Sequence, residues 1–120
     1  SSCKAYGVLL IVGPETVRRT KDDFFYLKLD DLAVKGKTIG LEIYTVLDSA
    51  YPGDKFTHDE MHKMYSAQKF KDAIKVCKKL KSKFDGQMDK YYDMWIERCE
   101  YMNTQKLPKN WNGVFIATTK

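Results

Sequence analysis

Phe25-Tyr26-Leu27-Lys28-Leu29-Asp30, the turn Lys35-Gly36-Lys37-Thr38, and Leu41-Glu42-Ile43-Tyr44-Thr45-Val46-Leu47 together decide how this chain folds. In an extended chain side chains alternate, so Phe25, Leu27 and Leu29 fall on one side and Tyr26, Lys28 and Asp30 on the other. The second stretch alternates in the same way. A glycine turn joins the two, which predicts an antiparallel hairpin over 24–47.

Upstream, Gly7 to Gly13 is a continuous apolar run rich in branched residues, as expected of a strand buried on both faces. Pro14-Glu15-Thr16-Val17-Arg18-Arg19 begins with proline and an acid and ends in two arginines, a pattern that suits a short helix aligned with its macrodipole. Downstream, Asp48 to Thr57 holds Ser49, Pro52, Gly53 and Asp54 and has the composition of a linker.

Beyond it the apolar residues recur at helical spacing. Met61, Met64, Tyr65 and Gln68 mark one helix. Phe70, Ala73, Ile74, Cys77, Leu80 and Phe84 mark a second with lysines on its opposite face. After Gly86, Met88, Tyr91, Tyr92, Trp95, Ile96, Cys99 and Met102 form the widest apolar stripe. Pro108 ends it, and Val114-Phe115-Ile116-Ala117 is short and apolar enough to return as an edge strand. The expected class is therefore α+β: a small antiparallel sheet with a short helix over 1–48, a linker over 49–57, and a three-helix tail with a terminal strand over 58–120.

The composition is that of a globular protein, with 43% hydrophobic and 31% charged residues. The net charge of +5 is uneven. Residues 1–57 carry eight basic and eight acidic groups, and 58–120 carry thirteen and eight. Three cysteines without a CxxC pair point to a reducing compartment rather than a disulfide scaffold. No apolar run approaches the roughly 20 residues needed to cross a bilayer, and no signal peptide is visible, so a cytoplasmic location is expected.

Strong phosphate, zinc and hydrolase signatures are absent. His58 and His62 share a helix face but lack a third ligand, which favours two solvated or half-buried histidines over a metal site. Asp22-Asp23 and Asp30-Asp31 are adjacent pairs whose members point to opposite faces of a strand, so neither converges on one metal. The run Lys69, Lys71, Lys75, Lys78, Lys79, Lys81, Lys83 lacks interleaved aromatics, which favours a solvated face over a nucleic-acid or membrane surface. Lys35 and Lys37 flank a glycine that would let two ammonium groups approach a polyphosphate closely. A lysine-bearing turn also serves simply to protect a sheet edge.

Read together, Lys4-Ala5-Tyr6-Gly7-Val8-Leu9-Leu10-Ile11-Val12, Phe25 to Asp30, Leu32-Ala33-Val34-Lys35-Gly36-Lys37 and Leu41-Glu42-Ile43-Tyr44 resemble the closing segment of class III nucleotide cyclases. Tyr65, Phe70, Ala73, Asp89, Arg98-Cys99, Leu107-Pro108 and Trp111-Asn112-Gly113-Val114 resemble the helical tail that follows this domain in many bacterial, sensor-linked adenylate cyclases. The tail also carries a tetratricopeptide-like cue in Tyr65, Lys69-Phe70 and Ala73. One such repeat cannot bury its own face and is expected to dock on the sheet or on a partner.

The resemblance implies a dimeric parent enzyme, a homodimer through its catalytic domain, that converts ATP to cyclic AMP and pyrophosphate with Mg or Mn ions. It places the metal-binding aspartates, base-reading residues and transition-state asparagine and arginine upstream of Ser1, so the chain alone is expected to be inactive and to bind no metal. It implies that Lys35, the first lysine of the VKGK turn, reaches the terminal phosphates, with Lys37 a weaker candidate by adjacency. The parent is expected to be membrane-anchored with this segment in the cytosol, contacting neither membrane nor nucleic acid. The alternative is a non-enzymatic, tetratricopeptide-like adaptor that binds a protein partner.

Overall fold

A computed structural model describes residues 2–34, 36 and 39–117. Among them the chain forms α1 (Ser2–Tyr6), α2 (Pro14–Thr20), β1 (Phe25–Val34), β2 (Leu41–Leu47), α3 (Pro52–Ser66), α4 (Phe70–Leu80), α5 (Asp89–Met102) and β3 (Phe115–Ala117). The class is α+β. The three-stranded sheet is mixed, ordered β2-β1-β3, with β1 antiparallel to β2 and parallel to β3.

The expected hairpin forms, with Phe25 opposite Leu47 and Leu32 opposite Leu41. Its register slips by one residue between Lys28, which faces Tyr44, and Asp30, which faces Ile43. Leu29 is the extra residue of a bulge, and the strict alternation fails there. Leu29 and Asp30, expected on opposite faces, are both fully buried.

Three expectations need correction. The sheet, expected to be antiparallel, is mixed, because β3 joins β1 in parallel. Gly7–Gly13 is not a strand buried on both faces. Only Val12 pairs, exchanging hydrogen bonds of 2.8 and 2.9 Å with Tyr44, while Leu9 is fully exposed and Leu10 is 48% exposed. β2 lines one side of this segment, and among the described residues no strand lies along the other. Residues 52–57, expected in the linker, are the opening turns of α3. Pro52 supplies a preset φ at the helix start, and Asp54 places a carboxylate in the positive first turn.

The helices pack on the hairpin. Leu27, Leu29, Ile43 and Leu47 from the sheet share one buried cluster with Met61, Phe70, Cys77, Leu80, Tyr91 and Trp95 from the helices. α4 buries Phe70, Ala73, Cys77 and Leu80, and Lys71, Lys75, Lys78 and Lys79 lie exposed on its other side, as its periodicity predicts. β3 returns beside β1, with Leu32 opposite Phe115. Among the described residues no helix is long and apolar enough to cross a membrane.

Among the described residues, the α4–α5 connection gathers three of the four non-glycine residues at positive φ. Ser82, Phe84 and Asp85 all adopt positive φ, at 74°, 55° and 56°. For a residue with a Cβ this conformation costs about 1–2 kcal/mol. Phe84 is buried against Tyr51 and Tyr92, which offsets its share. Asp85 is exposed and has no such compensation. Asp85→Gly is therefore expected to stabilise the fold by about 1 kcal/mol, read as a higher urea midpoint with an unchanged slope.

Candidate functional site

Lys35 and Lys37 lie outside the described residues, as does Thr38. Gly36 between them is exposed, with φ of 92° and open space where a side chain would stand. That backbone conformation favours glycine, so the residue type at 36 follows from the turn itself. Ile39, just beyond, is 86% exposed.

Behind the turn, Asp31 and Glu42 face each other across the strands. Lys28 Nζ lies 3.5 Å from Glu42 Oε2, and the Tyr44 hydroxyl donates to Glu42 Oε1 at 2.6 Å. This hydrogen bond holds the Glu42 carboxyl below its ordinary range, whereas burial raises that of Asp31. Cys77 and Cys99 are buried, and burial pushes both thiols up, Cys99 to about 12, which leaves neither as a ready nucleophile. Among the described residues no group of three or more His, Cys, Asp or Glu side chains is placed to hold a metal ion.

What holds the hairpin in place is a buried ion pair. Arg98 on α5 donates from Nη2 to Asp30 Oδ2 at 2.8 Å and from Nη1 to Asp30 Oδ1 at 3.2 Å, a two-pronged contact suited to a planar guanidinium. The Tyr6 hydroxyl donates to Oδ2 at 2.5 Å, and the Asp31 amide donates to Oδ1 at 2.8 Å. Arg98 Nη1 also donates to the Tyr65 hydroxyl at 3.3 Å. The guanidinium carbon sits 3.6 Å from the centre of the Phe115 ring and 4.7 Å from that of Trp95. Five elements, α1, β1, α3, α5 and β3, therefore meet on one charge pair.

Neither partner was expected in this role. A signal is nonetheless present: Arg98 is the lone arginine among thirteen basic residues in 58–120, and it stands within the apolar stripe of Trp95, Cys99 and Met102. Lysines serve on solvated faces, whereas a buried bidentate pair calls for arginine.

The two histidines belong to the same interior. His58 is fully buried rather than solvated. Its Nε2–H donates to the Lys28 carbonyl at 2.6 Å, which leaves Nδ1 to accept from the Tyr92 hydroxyl at 2.7 Å. His62 is half-buried, its ring 4.8 Å from that of His58, with Nε2 3.2 Å from the Tyr91 hydroxyl. Burial pushes His58 down to about 4 and His62 well below its usual range. Both rings are neutral, and they join α3 to β1 and α5.

Removing Arg98 strands a carboxylate in the core, so Arg98→Leu is expected to cost about 3–5 kcal/mol in urea unfolding, and Arg98→Leu with Asp30→Leu considerably less than twice that. The histidines set an acid limit. Their folded pKa values lie below the unfolded value of 6.5, so the unfolded chain takes up protons first and stability falls as pH drops from about 6.5 towards 4. The His58 share reaches roughly 3 kcal/mol near pH 4, which urea midpoints between pH 7 and 4.5 will follow. In comparison with known proteins, no family model, curated protein or solved structure matches this chain.

Proposed function

We propose that this chain is the closing part of a class III adenylate cyclase catalytic domain together with its helical extension, and that Lys35 contacts the terminal phosphates of ATP in the parent enzyme. One observation supports this most. The residues behind the resemblance come from two separate stretches of sequence, and they meet in the fold. Asp30 of the hairpin binds Arg98 of the tail, and Tyr65, Phe70 and Trp111 form an aromatic group with ring centres 5.3 to 6.0 Å apart. Gly113, at φ of 82°, brings the backbone so close to Ser66 that an added Cβ would stand 2.7 Å from its Oγ. These are joint requirements of one packed unit.

The chemistry assigned to the chain is electrostatic. On this reading Lys35, with Lys37 the weaker candidate, meets a polyphosphate at the turn between β1 and β2, where Gly36 is exposed. As cyclic AMP forms, negative charge gathers on the departing pyrophosphate, and a positioned ammonium group lowers that barrier. The resemblance assigns the Mg or Mn ions of such an enzyme, and its base selection, to residues elsewhere in the parent. The helical tail braces the hairpin.

In the full-length parent, Lys35→Ala is expected to lower kcat/KM roughly ten- to a hundredfold, because a charge positioned for the transition state is lost. Unchanged kinetics would remove Lys35 from the site. The 120-residue chain alone, given ATP and manganese, is expected to form no cyclic AMP. Turnover by the chain alone, or a parent that lacks cyclase activity, contradicts the proposal.

A further inference from the structure

A groove of about 940 Å³ is lined by Gly7–Leu10, the Phe24–Phe25 start of the hairpin, the chain leaving β2 at Leu47–Ala50, and Met88. We propose that it receives an extended polypeptide segment of a partner protein, apolar at alternate positions and flanked by lysine or arginine. This holds independently of the cyclase proposal, since it rests on the groove alone.

Three observations define the occupant. The first is apolar exposure: Leu9 is fully exposed, Phe24 is 55% exposed and Leu10 48%, all three on the walls of one groove. Large apolar side chains gathered in this way mark an interaction surface, whereas scattered ones do not. The second is charge. Asp22, Asp23 and Asp48 line the groove and no lysine or arginine does, in a chain whose net charge is +5. A basic flank is the complement. The third is the backbone. Among the described residues the amides of Leu9, Leu10 and Ile11 make no backbone hydrogen bond, although Val12, the next residue, pairs with Tyr44. An incoming extended segment would supply carbonyl acceptors beside Val12, which is already held to the sheet.

Two other occupants fit less well. A second copy of the chain, placed about a two-fold axis, would bring one acidic rim against another. A small apolar ligand inside the groove would leave Leu9, fully exposed on its wall, uncovered. A polypeptide laid across the groove satisfies the apolar walls, the acidic rim and the open amides together.

The probe is a capped nonapeptide of alternating valine and threonine with two lysines at each end, added to the 120-residue chain at low salt and followed by amide NMR. Shifts are expected at Leu9–Ile11 and around Phe24, weakening as salt is raised. The same peptide with glutamates in place of the lysines is expected not to bind. Leu9→Ser, a surface change that leaves the amide spectrum of the core intact, is expected to weaken binding about tenfold. Asp22→Asn with Asp23→Asn is expected to flatten the salt dependence. Absence of shifts in a correctly folded chain overturns the proposal, as do equal shifts with both peptides. A free chain that dimerises through Leu9, becoming monomeric in Leu9→Ser, assigns the groove to a second copy and overturns it too.

Discussion

The Asp30–Arg98 pair is the constraint on which the arrangement of this protein depends. Two charges brought out of water are costly unless each is met by its partner and by further hydrogen bonds. Here the carboxylate accepts from Arg98, Tyr6 and the Asp31 amide, and the guanidinium also reaches Tyr65 and lies against two aromatic rings. These requirements can be met together in one relative placement of hairpin and helices. The apolar cluster supplies the bulk of the driving force for packing, and the ion pair selects which packing is formed.

The bulge at Leu29 is what makes this pairing accessible. Without the slipped register Asp30 would alternate to the face opposite Leu29 and point away from α5. With it, Leu29 enters the apolar cluster and Asp30 meets Arg98, two adjacent residues buried for different reasons. His58 acts nearby in a related way. It takes up the Lys28 carbonyl at the edge of the same irregularity and ties it to Tyr92 on α5. The hairpin is thus held along β1 by polar contacts from the helices, and β3 pairs with its turn-proximal end at Leu32, Ala33 and Val34.

Much of this was legible in the sequence where a single period dominates. Alternation gave β1 and β2, and helical spacing gave the buried faces of α4 and α5 together with the lysine face of α4. The failures have physical causes. Gly7–Gly13 reads as a buried strand because it is uniformly apolar, yet burial needs a neighbour on each side, and only Val12 finds one. Pro52, Gly53 and Asp54 read as a linker because the same residues that make turns also start helices. Asp30 and Arg98 could not be joined from spacing, since 68 positions separate them. The lone arginine in a lysine-rich half was the available clue. Lys35 and Lys37 rest on a turn motif and a family resemblance alone; what the fold adds is the bond between Asp30 of the hairpin and Arg98.

If the ion pair and the shared cluster make the sheet and the helices one unit, they must unfold together. Urea unfolding of the 120-residue chain, followed at once by fluorescence of Trp95 and Trp111 and by hydrogen exchange at the amides of β1 and β2, measures this directly. The expected result is a single transition with coincident midpoints for both probes. Loss of the strand amides at a urea concentration where the tryptophan signal is still native would contradict the account, because the two halves would then be independent.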